Sequence, residues 1–229
     1  GRIPDVYGRV GDPLVALSRA SAVTSTIKLG TGICLVPERN PLLLAKEIAT
    51  LDLYSEGRFI FGIGAGWLKE ETEIMGGDFP HRWTQTKDAI LAMKELWTKD
   101  EAEYHGTYYD FPPVRSFPKP VQKPHPPVFL GGKALNAFKR VVEWGDGWMP
   151  NHCSVDEIRQ GRETLNRLAE EAGRDPSSIE IVIYGQAPDK AELQSLVDAG
   201  ADSVVVKPEW VETEAEMGEQ LERMAGLVL

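Results

Sequence analysis

Six segments with the composition of buried β-strands alternate along the chain with segments whose apolar residues recur at helical spacing. Several strand segments are apolar at nearly every position, which is typical of parallel strands buried on both faces. We predict strands that begin at or near Ile27, Arg58, Val128, Gly147, Ile179 and Ser203. The helical patterns cover residues 12–23, 41–54, 67–75, 85–97, 134–144, 154–173, 189–200 and 213–227.

Parallel strands joined by helices restrict the chain to the α/β class. They form either an open doubly wound sheet or a closed TIM-type (β/α)8 barrel. Six strand–helix units are visible in 229 residues, whereas a complete barrel has eight units in roughly 250 residues. A helical pattern precedes the first strand. We therefore expect one barrel domain over 1–229 that is incomplete at its N-terminus and lacks the first two strands.

The segment at about 99–126 interrupts the alternation. Seven prolines lie between Pro112 and Pro127, and this density excludes a helix or a central strand. The segment also contains more aromatic residues than a flexible linker would carry. We predict an ordered, largely extended insertion loop that is packed by Tyr104, Tyr108, Tyr109 and Phe111.

The composition limits the kinds of molecule that the protein can bind. The net charge of −10, from 35 acidic and 25 basic side chains, disfavours nucleic acid and anionic membranes. It permits a phosphorylated cofactor, because backbone amides and helix termini bind phosphate locally. Cys34 and Cys153 are far apart in sequence, and we expect buried thiols in a reducing cytoplasm. The four histidines form no metal-ligand pattern, so we expect no metal.

Three glycine-containing segments follow predicted strands, at the carboxyl ends where barrel active sites form. Residues 30–33 (G-T-G-I) form either a bulge that only bends the strand or one that lets the backbone approach a flat ring. The G-x-G-x-G run at 62–66 lacks the G-x-G-x-x-G spacing of a dinucleotide-binding loop. Gly131-Gly132 leads into a helix; it is either a plain turn or a phosphate site that Lys133 assists.

Three stretches resemble the luciferase-like family of flavin- and deazaflavin-dependent oxidoreductases. Residues 12–67 contain an L-G-T-G strand, then P-x-x-x-A-K-x-x-A-T-L-D, then G-R-F-x-x-G-x-G-x-G-W. Residues 120–132 read PVQKPHPPVFLGG, and residues 144–150 read WGDGWMP. Together with the order of strands and helices, the resemblance extends over nearly the whole of 12–206.

The resemblance implies a barrel with a non-prolyl cis peptide at Gly32-Ile33, behind the ring of a bound cofactor. In the family, two further strands precede this region and supply polar catalytic residues, so no catalytic residue can be assigned to this chain. The implied cofactor-binding residues are Gly32, Ile33, Ala65, Gly66, Trp67, Gly131, Gly132 and Lys133. Trp67 is equally compatible with a packing role.

The implied activity is hydride transfer or monooxygenation of a small organic substrate by a reduced flavin or deazaflavin. The run GRFIFGIGAGWLKEE is more similar to the subgroup that uses the deazaflavin coenzyme F420, with FMN as the alternative cofactor. Lys133 and Arg82 are candidates to contact the anionic tail of F420. Two other functions stand beside this one: a non-catalytic flavin-binding relative, and a metal-independent lyase or hydrolase.

The resemblance also implies a homodimer. In the family, helices equivalent to 12–23 and 41–54 pair across a two-fold axis. Their apolar content exceeds what one barrel needs, although the same residues could pack on the barrel instead. The residues concerned are Leu14, Leu17, Ala20, Leu43 and Leu44.

Overall fold

The computed structural model describes residues 10–229, which form two compact units. Unit 1 ends at Val128 and unit 2 is Phe129–Leu229. The helices of unit 1 are α1 (Pro13–Val23), α2 (Pro41–Tyr54), α3 (Lys69–Ile74) and α4 (Arg82–Thr98). Those of unit 2 are α5 (Leu135–Trp144), α6 (Val155–Glu171), α7 (Lys190–Asp198) and α8 (Glu214–Val228). All eight predicted helices are therefore present.

The strands of unit 1 are β1 (Leu29–Gly30), β2 (Cys34–Leu35), β3 (Phe59–Gly64), β4 (Ala102–His105) and β5 (Asp110–Val114). Strand β6 (Val128–Leu130) begins at the last residue of unit 1, and β7 (Gly147–Trp148), β8 (Glu180–Gln186) and β9 (Ser203–Val206) follow in unit 2. Each predicted strand region contains a strand. The region at 27–36 differs from the prediction, because it is divided into the two short strands β1 and β2.

Within unit 1, β1 and β2 both pair in parallel with β3, with Leu29 opposite Phe59 and Cys34 opposite Ile63. Strand β3 is deeply buried, and Phe59, Phe61 and Ile63 are fully shielded from solvent. Helices α1 and α2 begin with side-chain caps, since Asp12 and Asn40 accept hydrogen bonds from amides of the first turn. The near-continuous apolar run that begins at Arg58 thus forms β3, a parallel strand covered on both faces.

Within unit 2, the strands follow one another in the order β6, β7, β8, β9, and every pairing is parallel. Helix α6 begins with the predicted capping box, in which Ser154 and Glu157 exchange hydrogen bonds. Helices α7 and α8 also carry side-chain caps, from Asp189 and Thr213. This regular β–α repetition agrees with the predicted α/β class.

The insertion at 99–126 is more regular than predicted. Strands β4 and β5 form an antiparallel hairpin with an irregular register between Ala102 and Tyr104. Prolines fit in β5 because a two-stranded sheet consists of edge strands, where a missing N–H is tolerated. Asp88 of α4 anchors the hairpin: its carboxylate accepts hydrogen bonds from the Tyr104 hydroxyl at 2.7 Å and from the amides of Tyr108 and Tyr109.

A buried carboxylate fastens the proline-rich segment after the hairpin to α2. Asp52 has no solvent exposure, and its two oxygens accept hydrogen bonds from the backbone N–H and the side-chain amide of Gln122, at 3.0 and 2.6 Å. The same side-chain amide donates to the Phe59 carbonyl at 2.7 Å. Residues 52, 59 and 122 are therefore joined by hydrogen bonds in which the carboxylate is buried and Gln122 is half-buried.

We predict that Asp52→Ala lowers the free energy of unfolding by about 1–3 kcal/mol, because the half-buried Gln122 loses the buried acceptor of two of its hydrogen bonds. Chemical denaturation followed by circular dichroism measures this change. The matched control is Glu101→Ala, which removes an exposed carboxylate 3.3 Å from Arg115 and should cost less than about 0.5 kcal/mol. Equal losses in the two variants would contradict the importance of the buried bonds.

Candidate cofactor site

A bulge lies between β1 and β2. Gly30 is opposite Ile60 and Cys34 is opposite Ile63, so three residues, 31–33, oppose the two residues 61–62. The hydroxyl of the buried Thr31 donates to the Gly62 carbonyl at 2.7 Å and holds the bulge against β3. The peptide bond Gly32-Ile33 is cis, as predicted. Gly32 is exposed and Ile33 is half-buried.

The side chain of Ile33 packs on the backbone of β3. A Cβ built on Gly64 would lie 2.0 Å from Ile33 Cδ1, which is far inside van der Waals contact. The second glycine of the G-x-G-x-G run is therefore required by the bulge on the neighbouring strand. The sequence could not show this packing, because the two residues are 31 positions apart.

The loop after β3 is held by side chains from α3 and α4. Ala65 is buried, Gly66 has φ +84°, and Trp67 is 60% exposed. Arg82 donates from Nε to the Gly66 carbonyl at 3.0 Å and from Nη1 to the Phe79 carbonyl at 2.9 Å. Its guanidinium also lies 4.2 Å from the centre of the Phe79 ring. Arg82 therefore fixes this loop through the Gly66 carbonyl, a role that no sequence motif indicated.

Thr72 of α3 and Glu38, which precedes α2, pack against the same loop at Gly66. Thr72 is buried, and its hydroxyl lies 3.2 Å from Glu38 Oε1, the acceptor. Both oxygens lie within 3.2 Å of the position that a Cβ on Gly66 would take. Burial, together with the nearby Glu71 carboxylate, raises the pKa of Glu38. The loop therefore tolerates only glycine at position 66.

In unit 2, the loop after β6 leads directly into α5. Gly131 is buried, Gly132 is exposed with φ +97°, and Lys133 is exposed. The N-cap residue Ala134 provides no side-chain acceptor for the first amides of α5. The indole N–H of Trp148 donates to the Gly132 carbonyl at 2.6 Å. The Gly132 carbonyl is thus turned toward the protein, and no side chain caps the start of α5.

Lys133 is paired within unit 2. Its ammonium donates to Glu157 Oε1 at 2.9 Å and to the His152 carbonyl at 2.5 Å. Hydrogen bonds from Ser154 and from Lys133 lower the pKa of Glu157. The predicted contact between Lys133 and a phosphate stays a prediction, and the phosphate would be a third acceptor for an ammonium that has three N–H donors.

Both cysteines are free and buried, and burial raises the pKa of the Cys34 thiol to about 11. Within residues 10–229, no group of three His, Cys, Asp or Glu side chains is arranged to hold a metal ion. Over the same residues, no helix combines the length and the apolar character needed to cross a membrane.

We predict that Gly64→Ala lowers the free energy of unfolding by about 1–3 kcal/mol, because the new methyl group overlaps Ile33 Cδ1. In the double variant Gly64→Ala with Ile33→Val, the Ile33 Cδ1 atom is absent. This variant should recover at least half of the lost free energy of unfolding, as measured by urea denaturation. Gly30→Ala is the control, since its Cβ would meet atoms at 3.5 Å or more. Losses that simply add in the double variant would contradict the contact.

The sequence model of the family described as luciferase-like monooxygenase matches residues 3–224. An uncharacterized protein of Mycobacterium tuberculosis (strain ATCC 25618 / H37Rv) is 42% identical over 172 residues, which cover 75% of this chain and 60% of that protein. The FMNH2-dependent dimethylsulfone monooxygenase of Pseudomonas putida is 33% identical over 123 residues, which cover 52% of this chain and 34% of that enzyme. The chain thus spans at most about 60% of the length of these relatives.

Solved structures show the same fold. The coenzyme F420-dependent tetrahydromethanopterin reductase of Methanopyrus kandleri has a TM-score of 0.72 at 19% identity and covers 87% of this chain and 82% of its own. A monooxygenase from Streptomyces bottropensis has a TM-score of 0.69 at 23% identity and covers 94% of this chain and 62% of its own. Both are TIM-barrel enzymes, which agrees with the barrel fold predicted for this chain. The chain belongs to the luciferase-like monooxygenase family.

Proposed function

We propose that this chain belongs to an oxidoreductase in which a reduced flavin or deazaflavin acts on a small organic substrate. The observation that carries the proposal is the family match over residues 3–224, which includes each of the glycine loops described above. When bound, the cofactor supplies the hydride or activates oxygen. The protein supplies the shape and electrostatics around it.

In unit 1, the proposed ring contacts are Gly32, Ile33, Ala65, Gly66 and Trp67. Two features support them. The exposed Gly32 has no side chain, so a planar group can approach its backbone closely. Trp67 exposes 60% of its surface and offers an aromatic face next to the Gly66 loop.

In unit 2, the proposed phosphate contacts are Gly131, Gly132 and Lys133. The first turn of α5 has amides without a capping side chain, and the helix dipole favours an anion there. A Cβ on Gly132 would meet only Ala137, at 3.4 Å, so the loop surface is open. These local features permit an anionic cofactor in a protein of net charge −10.

For the cofactor itself we propose coenzyme F420, with FMN as the alternative. The resemblance of the run at 57–71 to the F420-dependent subgroup supports F420. The 33% identity to an enzyme named for its dependence on FMNH2 supports FMN. A non-catalytic role in binding flavin is the second candidate function, since this chain offers no assigned catalytic acid or base. The two buried free thiols fit a cytoplasmic location.

We expect the protein to bind F420 with micromolar or tighter affinity and FMN at least ten times more weakly. Titration of each oxidised cofactor, followed by its fluorescence, measures this preference. Tighter binding of FMN would reverse the choice of cofactor. Binding of neither would reject the oxidoreductase proposal, and binding without consumption of the reduced cofactor across a substrate panel would favour the non-catalytic role.

We also propose a homodimer formed through α1 and α2. Of the apolar residues predicted for this surface, Leu14 and Leu44 are buried within unit 1, whereas Leu43 is 58% exposed. Val15, which the sequence did not single out, is 73% exposed. Val15 and Leu43 line one groove between α1 and α2, and a second copy would remove this apolar surface from water.

We expect a dimer by light scattering, and we expect the double variant Val15→Glu with Leu43→Glu to be a monomer, because apolar contact surface is lost and two carboxylates would have to be removed from water at the interface. Leu221→Glu on α8, at an apolar residue that is 52% exposed, is the control and should remain dimeric. A monomeric wild-type protein would reject the proposal, and a dimeric double variant would place the interface elsewhere.

A further inference from the structure

Trp148 occupies a closely fitted position in unit 2. Its side chain is 1% exposed, and its ring meets Phe138 of α5 edge-on, with 4.9 Å between the ring centres. A Cβ built on Gly161 of α6 would lie 2.4 Å from the indole ring. The indole therefore packs against the backbone of α6 at Gly161 and against the Phe138 ring of α5, and these two contacts fix its position.

The fitted indole points its N–H at the Gly132 carbonyl. The bond is short, at 2.6 Å, and the buried donor makes it strong relative to a solvent-exposed one. Gly132 has φ +97°, a backbone conformation that L-residues with side chains rarely adopt. With its carbonyl bound to Trp148, Gly132 cannot rotate without leaving a buried indole N–H unsatisfied.

We infer that Trp148 is a positioning residue for cofactor phosphate binding, acting through the Gly132 carbonyl. This inference rests on the proposed function, in which the amides of Gly132, Lys133 and the first turn of α5 face the phosphate. The bond from Trp148 sets the orientation of the Gly132–Lys133 peptide plane, because the carbonyl of Gly132 and the amide of Lys133 belong to one rigid unit. The indole therefore directs the Lys133 N–H away from the protein side of the loop.

Unit 1 contains a comparable arrangement that acts on a different loop. The Gly66 carbonyl, also on a glycine of positive φ, accepts a hydrogen bond from Arg82. In the proposed function this loop contacts the ring and not the phosphate. Arg82 should therefore affect all cofactors that share the ring, whereas Trp148 should affect only those that carry the phosphate.

The test compares FMN with riboflavin, which has the same ring but no phosphate. Trp148→Phe keeps an aromatic ring between Phe138 and Gly161 and removes the N–H. We expect it to weaken FMN binding about 10-fold and riboflavin binding less than about 2-fold, as measured by quenching of flavin fluorescence. Arg82→Lys should weaken the binding of both ligands by a similar factor. If only F420 binds the wild type, F420 and its phosphate-free deazaflavin core replace the pair.

A second variant tests the same loop without changing Trp148, in case Trp148→Phe destabilises the whole fold. Gly132→Ala disfavours the positive φ without a collision, since its Cβ would meet only Ala137 at 3.4 Å, and it should also weaken FMN binding selectively. The matched control is Gly173→Ala after α6, where φ is +70° and nothing lies within 4 Å of the added methyl group. It should destabilise the fold to a similar extent and leave the ratio of the FMN and riboflavin affinities unchanged.

The selectivity for the phosphate separates the possible outcomes. Equal weakening of FMN and riboflavin by Trp148→Phe, or no weakening of either, overturns the positioning role while leaving the proposed function intact. A wild-type protein that binds none of the four ligands rejects the proposed function, and the inference with it. A change in melting temperature alone, with the affinity ratio unchanged, assigns Trp148 to the core only and also overturns the inference.

Discussion

Burial of strand β3 on both faces is the constraint on which the rest of unit 1 depends. Phe59, Phe61 and Ile63 are fully shielded, and the strand pairs in parallel with both β1 and β2. Trp97 of α4 meets Phe61 edge-on at 6.3 Å and donates its indole N–H to the Ala45 carbonyl of α2 at 2.9 Å. One aromatic residue thus packs on the strand and links two helices. Large apolar side chains removed from water supply most of the stabilisation, and the buried polar side chains of Thr31 and Asp52 are hydrogen-bonded.

Side-chain donors that fix backbone carbonyls recur throughout the chain. Arg58 donates to the carbonyls of Ser55, Ile27 and Thr24, and Arg174 donates to the carbonyls of Val141 and Gly145. The planar guanidinium suits this role because its donors point in fixed directions. Several basic residues are therefore used to hold helix ends and turns. An anionic cofactor would depend on backbone amides and a helix terminus more than on positive side chains.

The two glycine loops show how a flexible backbone position can be held in one conformation. Glycine is needed at 66 and 132 because each has positive φ, but the same freedom would leave the loop undefined. In each case one nitrogen donor from a residue 16 positions later holds the glycine carbonyl. The donor is itself immobilised, Arg82 by the ring of Phe79 and Trp148 by the ring of Phe138. Preorganised contacts of this kind reduce the entropy that binding would otherwise lose.

The sequence by itself determined the order of the eight helices and of six strand regions, the α/β class and the glycine segments near the strand ends. Periodicity and capping residues report local burial and local hydrogen bonds, which a segment carries in its own composition. It also predicted the cis peptide at Gly32-Ile33, although through family resemblance. Only the tertiary structure decided that β1 and β2 are separate strands, that 102–114 form a hairpin, and that Asp52 binds Gln122. Arg82 and Trp148 acquired their roles in the same way. The glycine carbonyls that they bind are 16 residues away in each case, and a hydrogen bond at that separation depends on how the intervening elements pack.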